Sequence, residues 1–129
     1  MLGYQKQLIV SADDLDELNH VNNVRYVQWI QDISKEHWQT KASAKMQEGL
    51  IWVVLTHHIE YKAAAVLNDP ITLKTYIASS SGAKCTRIVE MVHSTTKTLL
   101  VRSSTEWCLL SNDTLRPTRI SEEIKETFL

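Results

Sequence analysis

One segment with helical periodicity, followed only by strand-like segments, constrains the fold of this chain most strongly. From about Asn22 to Trp38, the apolar side chains recur at intervals of four and three residues, which is the spacing of one helix face. Polar side chains fill much of the opposite face, and Asn22 or Asn23 can cap the first turn. The pattern predicts one long amphipathic helix of roughly 24 Å.

Strand-like segments account for most of the remaining sequence. A first strand is predicted over residues 4–11, and a polar loop rich in Asp and Asn follows over 12–22. A short helical turn is predicted at 42–48, closed by Gly49, and a C-terminal helix at 121–127 is capped by Ser121. Segments rich in Ile, Val, Thr, Trp and Tyr predict four further strands, in an antiparallel meander, at 50–62, 70–79, 84–93 and 99–110.

This order of elements predicts an α+β fold in a single domain spanning residues 1–129. The chain is too short for two cores of ordinary size, and only three glycines and two prolines interrupt it. One helix covers one face of a five-stranded sheet, so the other face and the sheet edges need protection. We therefore expect a homodimer or homotetramer.

Charge and cysteine content limit the possible partners and compartments. Fourteen Lys and Arg against fifteen Asp and Glu leave a net charge of −1, which argues against a nucleic-acid partner or an anionic membrane surface. Cys85 and Cys108 form neither a disulfide framework nor a metal-binding spacing. No signal sequence or membrane-spanning apolar run is recognisable, so a cytoplasmic location is expected.

The densest group of chemically capable side chains lies between the first strand and the helix. It combines an Asp-x-Asp motif, Asp14 and Asp16, with a His-Val-Asn-Asn-x-x-Tyr motif that runs from His20 to Tyr26. This run, with the helix and strands after it, resembles the hotdog-fold acyl thioesterases, especially the 4-hydroxybenzoyl-CoA thioesterase-like and acyl-ACP thioesterase-like groups. Residues Tyr61 and Lys62, leading to Asp69, fit a second and less specific signature of that family.

The resemblance covers nearly the whole chain and implies both fold and activity. The implied fold is the hotdog fold, with a long central helix packed on a five-stranded antiparallel sheet and a short C-terminal helix. The implied activity is hydrolysis of acyl-CoA or acyl-ACP thioesters of fatty acid metabolism to a free acid and a thiol. No metal or other cofactor is implied.

Asp16 and His20 are the catalytic residues that the resemblance implies. The second acid of the Asp-x-Asp motif is the catalytic carboxylate in the 4-hydroxybenzoyl-CoA thioesterase-like group, and it corresponds to Asp16. The acyl-ACP branch uses an Asn two residues later and a His four residues later; His20 matches, whereas Leu18 occupies the Asn position. Physically, Asp16 can act as a nucleophile or as a general base, while amide groups at the helix start polarise the thioester carbonyl.

Substrate-binding roles are open to simpler interpretations. Asn22 and Asn23 can bind substrate or cap the helix, and Tyr26 can line an acyl tunnel or belong to the core. Lys84 and Arg87 are candidates for binding the phosphate of either carrier, although solvated surface charge is the commoner role. Adjacent His57 and His58 face opposite sides of a strand, which argues against a metal pair.

Two other functions remain as alternatives to hydrolysis. A non-catalytic hotdog module that binds acyl-CoA predicts saturable binding without turnover. A hotdog hydratase or dehydratase usually has an Asp-x-Asn-Pro-x-His-type motif, and no proline separates Asp16 from His20.

Overall fold

The computed structural model of the chain describes residues 2–129 as five antiparallel strands with one long helix across one face. A 3-10 turn at Ala12–Asp14 follows the first strand. The predicted α+β architecture, including the long helix and the short C-terminal helix, is confirmed. The elements are β1 (Tyr4–Ile9), α1 (Asn23–Lys41), α2 (Ala44–Gln47), β2 (Leu50–Tyr61), β3 (Pro70–Ser81), β4 (Lys84–His93), β5 (Leu99–Ser111) and α3 (Glu122–Phe128).

Helix α1 forms where its periodicity predicts it. Asn22 is the N-cap, and its side chain accepts a hydrogen bond from the backbone N–H of Val24. The helix continues to Lys41, three residues beyond the predicted end at Trp38. Its buried face meets the sheet and comprises Tyr26, Trp29, Ile30, Ile33, Ser34 and His37.

The order of strands corrects the predicted meander. Strands β3, β4 and β5 are consecutive neighbours, but β2 pairs with β5 and lies far from β3, giving the order β1-β3-β4-β5-β2. The connection over residues 62–69 is long enough to cross the end of the sheet, unlike the short turns before β4 and β5. Ala65 in this connection is buried, and its carbonyl accepts from the N–H of Val21.

Small differences in strand length have local causes. Strand β1 ends at Ile9 instead of residue 11, because Ser11 caps the 3-10 turn that follows. Strand β3 runs to Ser81, two residues beyond the prediction, so the hairpin turn before β4 is shorter than expected. Gly82 occupies that turn with φ of 62°, a left-handed conformation that favours glycine.

Two apolar clusters fill the space between α1 and the sheet. The first surrounds Ile30, Ile33 and Met91, at the end of the sheet nearest the start of α1. The second contains Leu109, Ile120, Ile124 and Phe128, with Trp38 and Trp52 at its margin. Helix α3 closes this second end, and the side chain of Ser121 caps it as predicted.

The two edge strands differ in their protection from other chains. Strand β1 is short, and Lys6 forms an ion pair with Glu36 of α1 at 2.9 Å. Strand β2 has twelve residues, and its exposed side chains include Val54 and Leu55. Within residues 2–129, no helix is both long enough and apolar enough to span a membrane.

Candidate active site

The loop between β1 and α1 folds back on itself beneath the start of the helix. The N–H of Asp16 donates to the carbonyl of His20 at 2.8 Å, and Leu15 forms an isolated β-bridge with Val21. Asn19 turns the chain with φ of 60°. The fold-back brings Asp16 and His20 together through their main chains, as the shared motif predicts.

Asp16 has one carboxylate oxygen fixed and one available. Its Oδ1 accepts hydrogen bonds from the N–H groups of Leu18 at 2.9 Å and His20 at 3.2 Å. Within residues 2–129, Oδ2 has no hydrogen-bond partner. Since the side chain is half-buried, its orientation is set by the protein while one oxygen remains able to react.

Asp14, the first acid of the motif, has a structural role. It is buried, and its Oδ2 accepts from the backbone N–H of Ser11 at 2.8 Å and from the Ser11 hydroxyl at 3.2 Å. Its Oδ1 lies 3.0 Å from Nε of Arg25 on α1. These contacts join the loop to the helix and occupy both carboxylate oxygens of Asp14, whereas Asp16 keeps one oxygen unpaired within residues 2–129.

His20 contributes its main chain to this loop, while its side chain is exposed. It forms an isolated β-bridge with Val66 of the 62–69 connection. No hydrogen bond between its ring and Asp16 is present in the described part of the chain. Any catalytic role of His20 therefore requires its ring to meet the substrate directly.

The start of α1 offers fewer free amide groups than expected. The Val24 N–H is taken by the Asn22 side chain, and those of Arg25 and Tyr26 donate to the Asn22 carbonyl at 2.9 and 3.4 Å. The N–H of Asn23 has no partner within residues 2–129. The helix start thus provides one free donor for a substrate oxygen.

Asn22 and Tyr26 occupy the structural positions that the simpler interpretations predict. Asn22 is the helix cap. Tyr26 is buried, and its hydroxyl accepts from the N–H of Ala65 at 3.3 Å. Burial raises the pKa of Tyr26. Asn23 is exposed, and no hydrogen bond of its side chain is present within residues 2–129.

Lys84 and Arg87 do not form a surface patch. They lie three positions apart on β4, so their side chains point to opposite faces of the sheet. Lys84 is exposed, whereas Arg87 is buried and donates to Nδ1 of His37 at 2.8 Å. The Asp16 loop is at the His93 end of β4, about 30 Å from Lys84. Neither side chain reaches a phosphate beside that loop in the same subunit.

Two cavities border α1. A small cavity of about 240 Å³ lies at the helix start between Asp13, Asn22 and Arg25. A larger cavity of about 590 Å³ lies along the second half of α1, against β2 and α3. Gln28 lines both, and Asp16 lines neither. Neither of these two cavities therefore encloses Asp16.

The two cysteines are buried, and the adjacent histidines His57 and His58 lie on opposite faces of β2. Cys85 and Cys108 are free and buried, and burial raises the pKa of Cys85 to about 11, which keeps this thiol un-ionised at neutral pH. His57 donates to or accepts from the Thr105 hydroxyl at 2.7 Å, while His58 points to the exposed side.

Sequence reasoning missed the pairing of His37 with Arg87. His37 recurs with the apolar residues of α1 and so looks like one more core position. The available signal was a histidine within the apolar series of α1. It becomes informative only with an arginine on the strand face that the helix covers. Their partnership depends on sheet register, which places Arg87 under the helix.

Comparisons with known proteins support the family and the fold. The sequence profile described as the acyl-ACP thioesterase N-terminal domain matches residues 2–128. No curated protein sequence gives a significant match. Among solved structures, a probable thioesterase, YbaW, from Escherichia coli is 20% identical, with a TM-score of 0.86 over 95% of this chain and 94% of that one.

Two further structures have the same fold at lower identity. A 4-hydroxybenzoyl CoA thioesterase is 14% identical, with a TM-score of 0.89 over 100% of both chains. The 12:0-ACP thioesterase from Umbellularia californica is 16% identical, with a TM-score of 0.85 over 99% of this chain and 51% of that one. The present chain thus spans about half of the plant enzyme, and the hotdog fold is confirmed.

Proposed function

The chain belongs to the acyl-ACP thioesterase family, and on that premise we propose that it hydrolyses acyl thioesters with Asp16 as its catalytic carboxylate. The geometry of Asp16 carries the proposal. Two backbone N–H groups fix Oδ1, while Oδ2 has no partner within residues 2–129. Thioester cleavage needs a nucleophile or an activated water at the carbonyl carbon and a hydrogen-bond donor for the carbonyl oxygen, and a fixed carboxylate with one free oxygen can supply the first of these.

Two routes are open to Asp16. As a nucleophile, Oδ2 attacks the thioester carbonyl carbon, the thiolate leaves, and water then hydrolyses the resulting anhydride to restore the carboxylate. As a general base, Oδ2 takes a proton from a water molecule whose oxygen attacks the same carbon; the C–S bond then breaks, and the leaving thiolate takes up that proton. In both routes the N–H of Asn23 can donate to the carbonyl oxygen as it gains negative charge.

Wild-type protein is expected to release free thiol from acyl thioesters. We would follow the release with a chromogenic disulfide reagent, using short-chain, long-chain and aromatic acyl-CoAs and the matching acyl-ACPs. The two carriers share the thioester but differ in the surface around it, so the ratio of kcat/KM values assigns the carrier. Saturable acyl-CoA binding without turnover of any substrate would contradict hydrolysis and support the non-catalytic binding module.

We also propose that the active unit is a homodimer formed through β2, with a homotetramer as a larger possibility. Twelve residues of this edge strand have one unpaired side, and no charged side chain interrupts it between Leu50 and Thr56. Asp16 lines neither of the two cavities at α1, so a second subunit can complete its surroundings. The two free, buried cysteines fit a reducing compartment such as the cytoplasm.

Leu55→Asp is expected to convert this dimer to a monomer. Leu55 is the extra residue of a β-bulge in β2, and its side chain is 45% exposed in the single chain. A charge buried in a strand-to-strand interface has no partner there, so association should weaken strongly. Light scattering coupled to size-exclusion chromatography should give twice 14.8 kDa for wild type and 14.8 kDa for the variant.

Ile9→Asp is the matched control for this experiment. Ile9 is 67% exposed at the end of β1, the opposite edge of the sheet, and it receives the same chemical change. This variant should keep the wild-type mass. A dimer that survives Leu55→Asp but dissociates in Ile9→Asp would place the interface at β1 instead.

A further inference from the structure

A band of buried polar side chains crosses the sheet beneath α1 and separates the two apolar clusters. Arg87 on β4 is the register partner of Thr105 on β5, and Thr105 is the partner of His57 on β2. His37 of α1 lies above the band, and Thr75 of β3 adds a hydroxyl. This is an unusual use of the space where a helix meets a sheet, which is normally apolar.

Arg87 is a buried cation with no carboxylate beside it. Its exposed fraction is 6%, and Nη1 donates to two uncharged acceptors, Nδ1 of His37 at 2.8 Å and the hydroxyl of Thr75 at 2.9 Å. Within residues 2–129, no acidic side chain lies within ion-pair distance of it, and Nε and Nη2 have no hydrogen-bond partner. Burial lowers the pKa of Arg87 to about 10, so the group is still charged at neutral pH.

Arg87 also forms part of the wall of the larger cavity. The cavity has a volume of about 590 Å³, which lies within the range of small-molecule sites, and about half of its lining side chains are aromatic or aliphatic. Asp32 and Lys35, one charge of each sign, also line the cavity from the more exposed side of α1. The cavity therefore combines apolar side chains with one buried cation, Arg87, whose Nε and Nη2 have no hydrogen-bond partner within the described residues.

We propose that this cavity binds an apolar chain that ends in a carboxylate, with Arg87 as its counter-ion. The apolar walls fit the chain, and a carboxylate satisfies both the charge of Arg87 and its unused donors in a single group. An uncharged chain end would leave the cation unpaired. The ligand is thereby distinguished from a simple alkyl chain.

The position of the cavity relates this ligand to the proposed function. His37, the helix partner of Arg87, lies fourteen residues after Asn23, or about 21 Å along α1. Gln28 lines both this cavity and the smaller one at the helix start. If the proposed hydrolysis is correct, an acyl chain bound at Asp16 can extend along α1 toward Arg87. The carboxylate then belongs to the half-thioester of a dicarboxylic acid or to a free fatty acid.

Binding can be measured without turnover. Three of the four tryptophans, Trp38, Trp52 and Trp107, line the cavity, so intrinsic fluorescence reports its occupancy. We would titrate full-length protein with dodecanoate and with 1-dodecanol, each below its micellar concentration. Wild type is expected to bind dodecanoate about ten- to a hundredfold more tightly, the usual effect of a charge-assisted hydrogen bond.

Three variants test the role of Arg87. Arg87→Met should remove the preference for dodecanoate and should still fold, because an apolar side chain commonly replaces a buried charge without loss of stability. Arg87→Lys keeps the cation and should keep a preference. Arg102→Met is the matched control, because Arg102 pairs with Glu90 at 2.7 Å on the partly exposed face of the sheet. This variant should prefer dodecanoate over 1-dodecanol as strongly as wild type does.

Equal affinity of wild type for the two ligands, or a preference that survives in Arg87→Met, would overturn the proposal. A second arm compares hydrolysis of octadecanoyl-CoA, whose extended chain is long enough to reach from Asp16 toward Arg87, with that of its ω-carboxylated analogue. If the analogue is hydrolysed faster by wild type but not by Arg87→Met, the result supports the site and identifies its ligand as the half-thioester. Carboxylate-selective binding with equal hydrolysis supports the site and assigns free fatty acid. Selective binding with no hydrolysis of any thioester supports the site while contradicting the proposed function alone.

Discussion

Asp16→Asn is expected to lower kcat/KM for acyl thioesters by about 10³-fold or more while leaving Tm unchanged. The amide oxygen of Asn can still accept from the N–H groups of Leu18 and His20, so the loop keeps its turn. The variant loses only the negative charge on the oxygen to which the proposed mechanism gives the attack on the carbonyl or the activation of water. Thiol release at several substrate concentrations and a thermal melt measure both quantities.

Two neighbouring acids provide controls for this substitution. Asp13→Asn changes an exposed side chain in the same loop and should leave both kcat/KM and Tm near wild type. Asp14→Asn removes the ion pair with Arg25 and should lower Tm. Retention of more than about a tenth of wild-type turnover in Asp16→Asn would exclude Asp16 as the catalytic carboxylate.

Intact-protein mass spectrometry during turnover separates the two routes that remain for Asp16. A nucleophilic carboxylate forms an anhydride with the acyl group, so a fraction of wild-type protein should gain the mass of that acyl group. A general base forms no covalent bond to substrate and leaves the protein mass unchanged. Asp16→Asn supplies the baseline for both readings.

Local patterns in the sequence predicted most elements because burial of one face imposes a period on each of them. Asn22 and Ser121 cap the helices as expected, since a cap is a contact between residues two or three apart. The place of β2 in the sheet was predicted wrongly, because strand order depends on which distant strand a segment meets. Turn residues at the two ends of β2 carry no information about that choice.

The same difference applies to the candidate site: features set by neighbouring residues could be predicted, and features set by tertiary contacts could not. The motif identified the loop of Asp16, whereas the separate roles of Asp14 and Asp16 depend on contacts of the folded loop with Ser11 and Arg25. Arg87 was misplaced for a related reason. Its nearness to Lys84 in sequence indicated a basic surface, but strand alternation places it under α1.

The titration of His37 alone is expected to make the free energy of unfolding about 3 kcal/mol smaller at pH 4 than above pH 6.5. Burial, followed by the charge of Arg87, lowers the pKa of His37 to about 4, while the hydrogen bond to the Leu2 carbonyl opposes the shift. Between these pH values the unfolded chain binds a proton that the folded chain does not. The free energy of unfolding therefore falls as pH falls through this window.

His37→Gln isolates this contribution in urea denaturation curves measured across the same window. The amide of Gln can accept from Arg87 and donate to Leu2, as the ring does, but it does not titrate. Loss of ring packing against Tyr4 and Phe128 should lower stability at pH 7, while the slope against pH becomes smaller than in wild type. His58→Gln changes an exposed ring and should keep the wild-type slope. If His37 is neutral in the folded protein, its Nδ1 can accept the hydrogen bond from Arg87, and protonation would turn Nδ1 into a second donor. Equal dependence of the unfolding free energy on pH in wild type and His37→Gln would contradict this assignment.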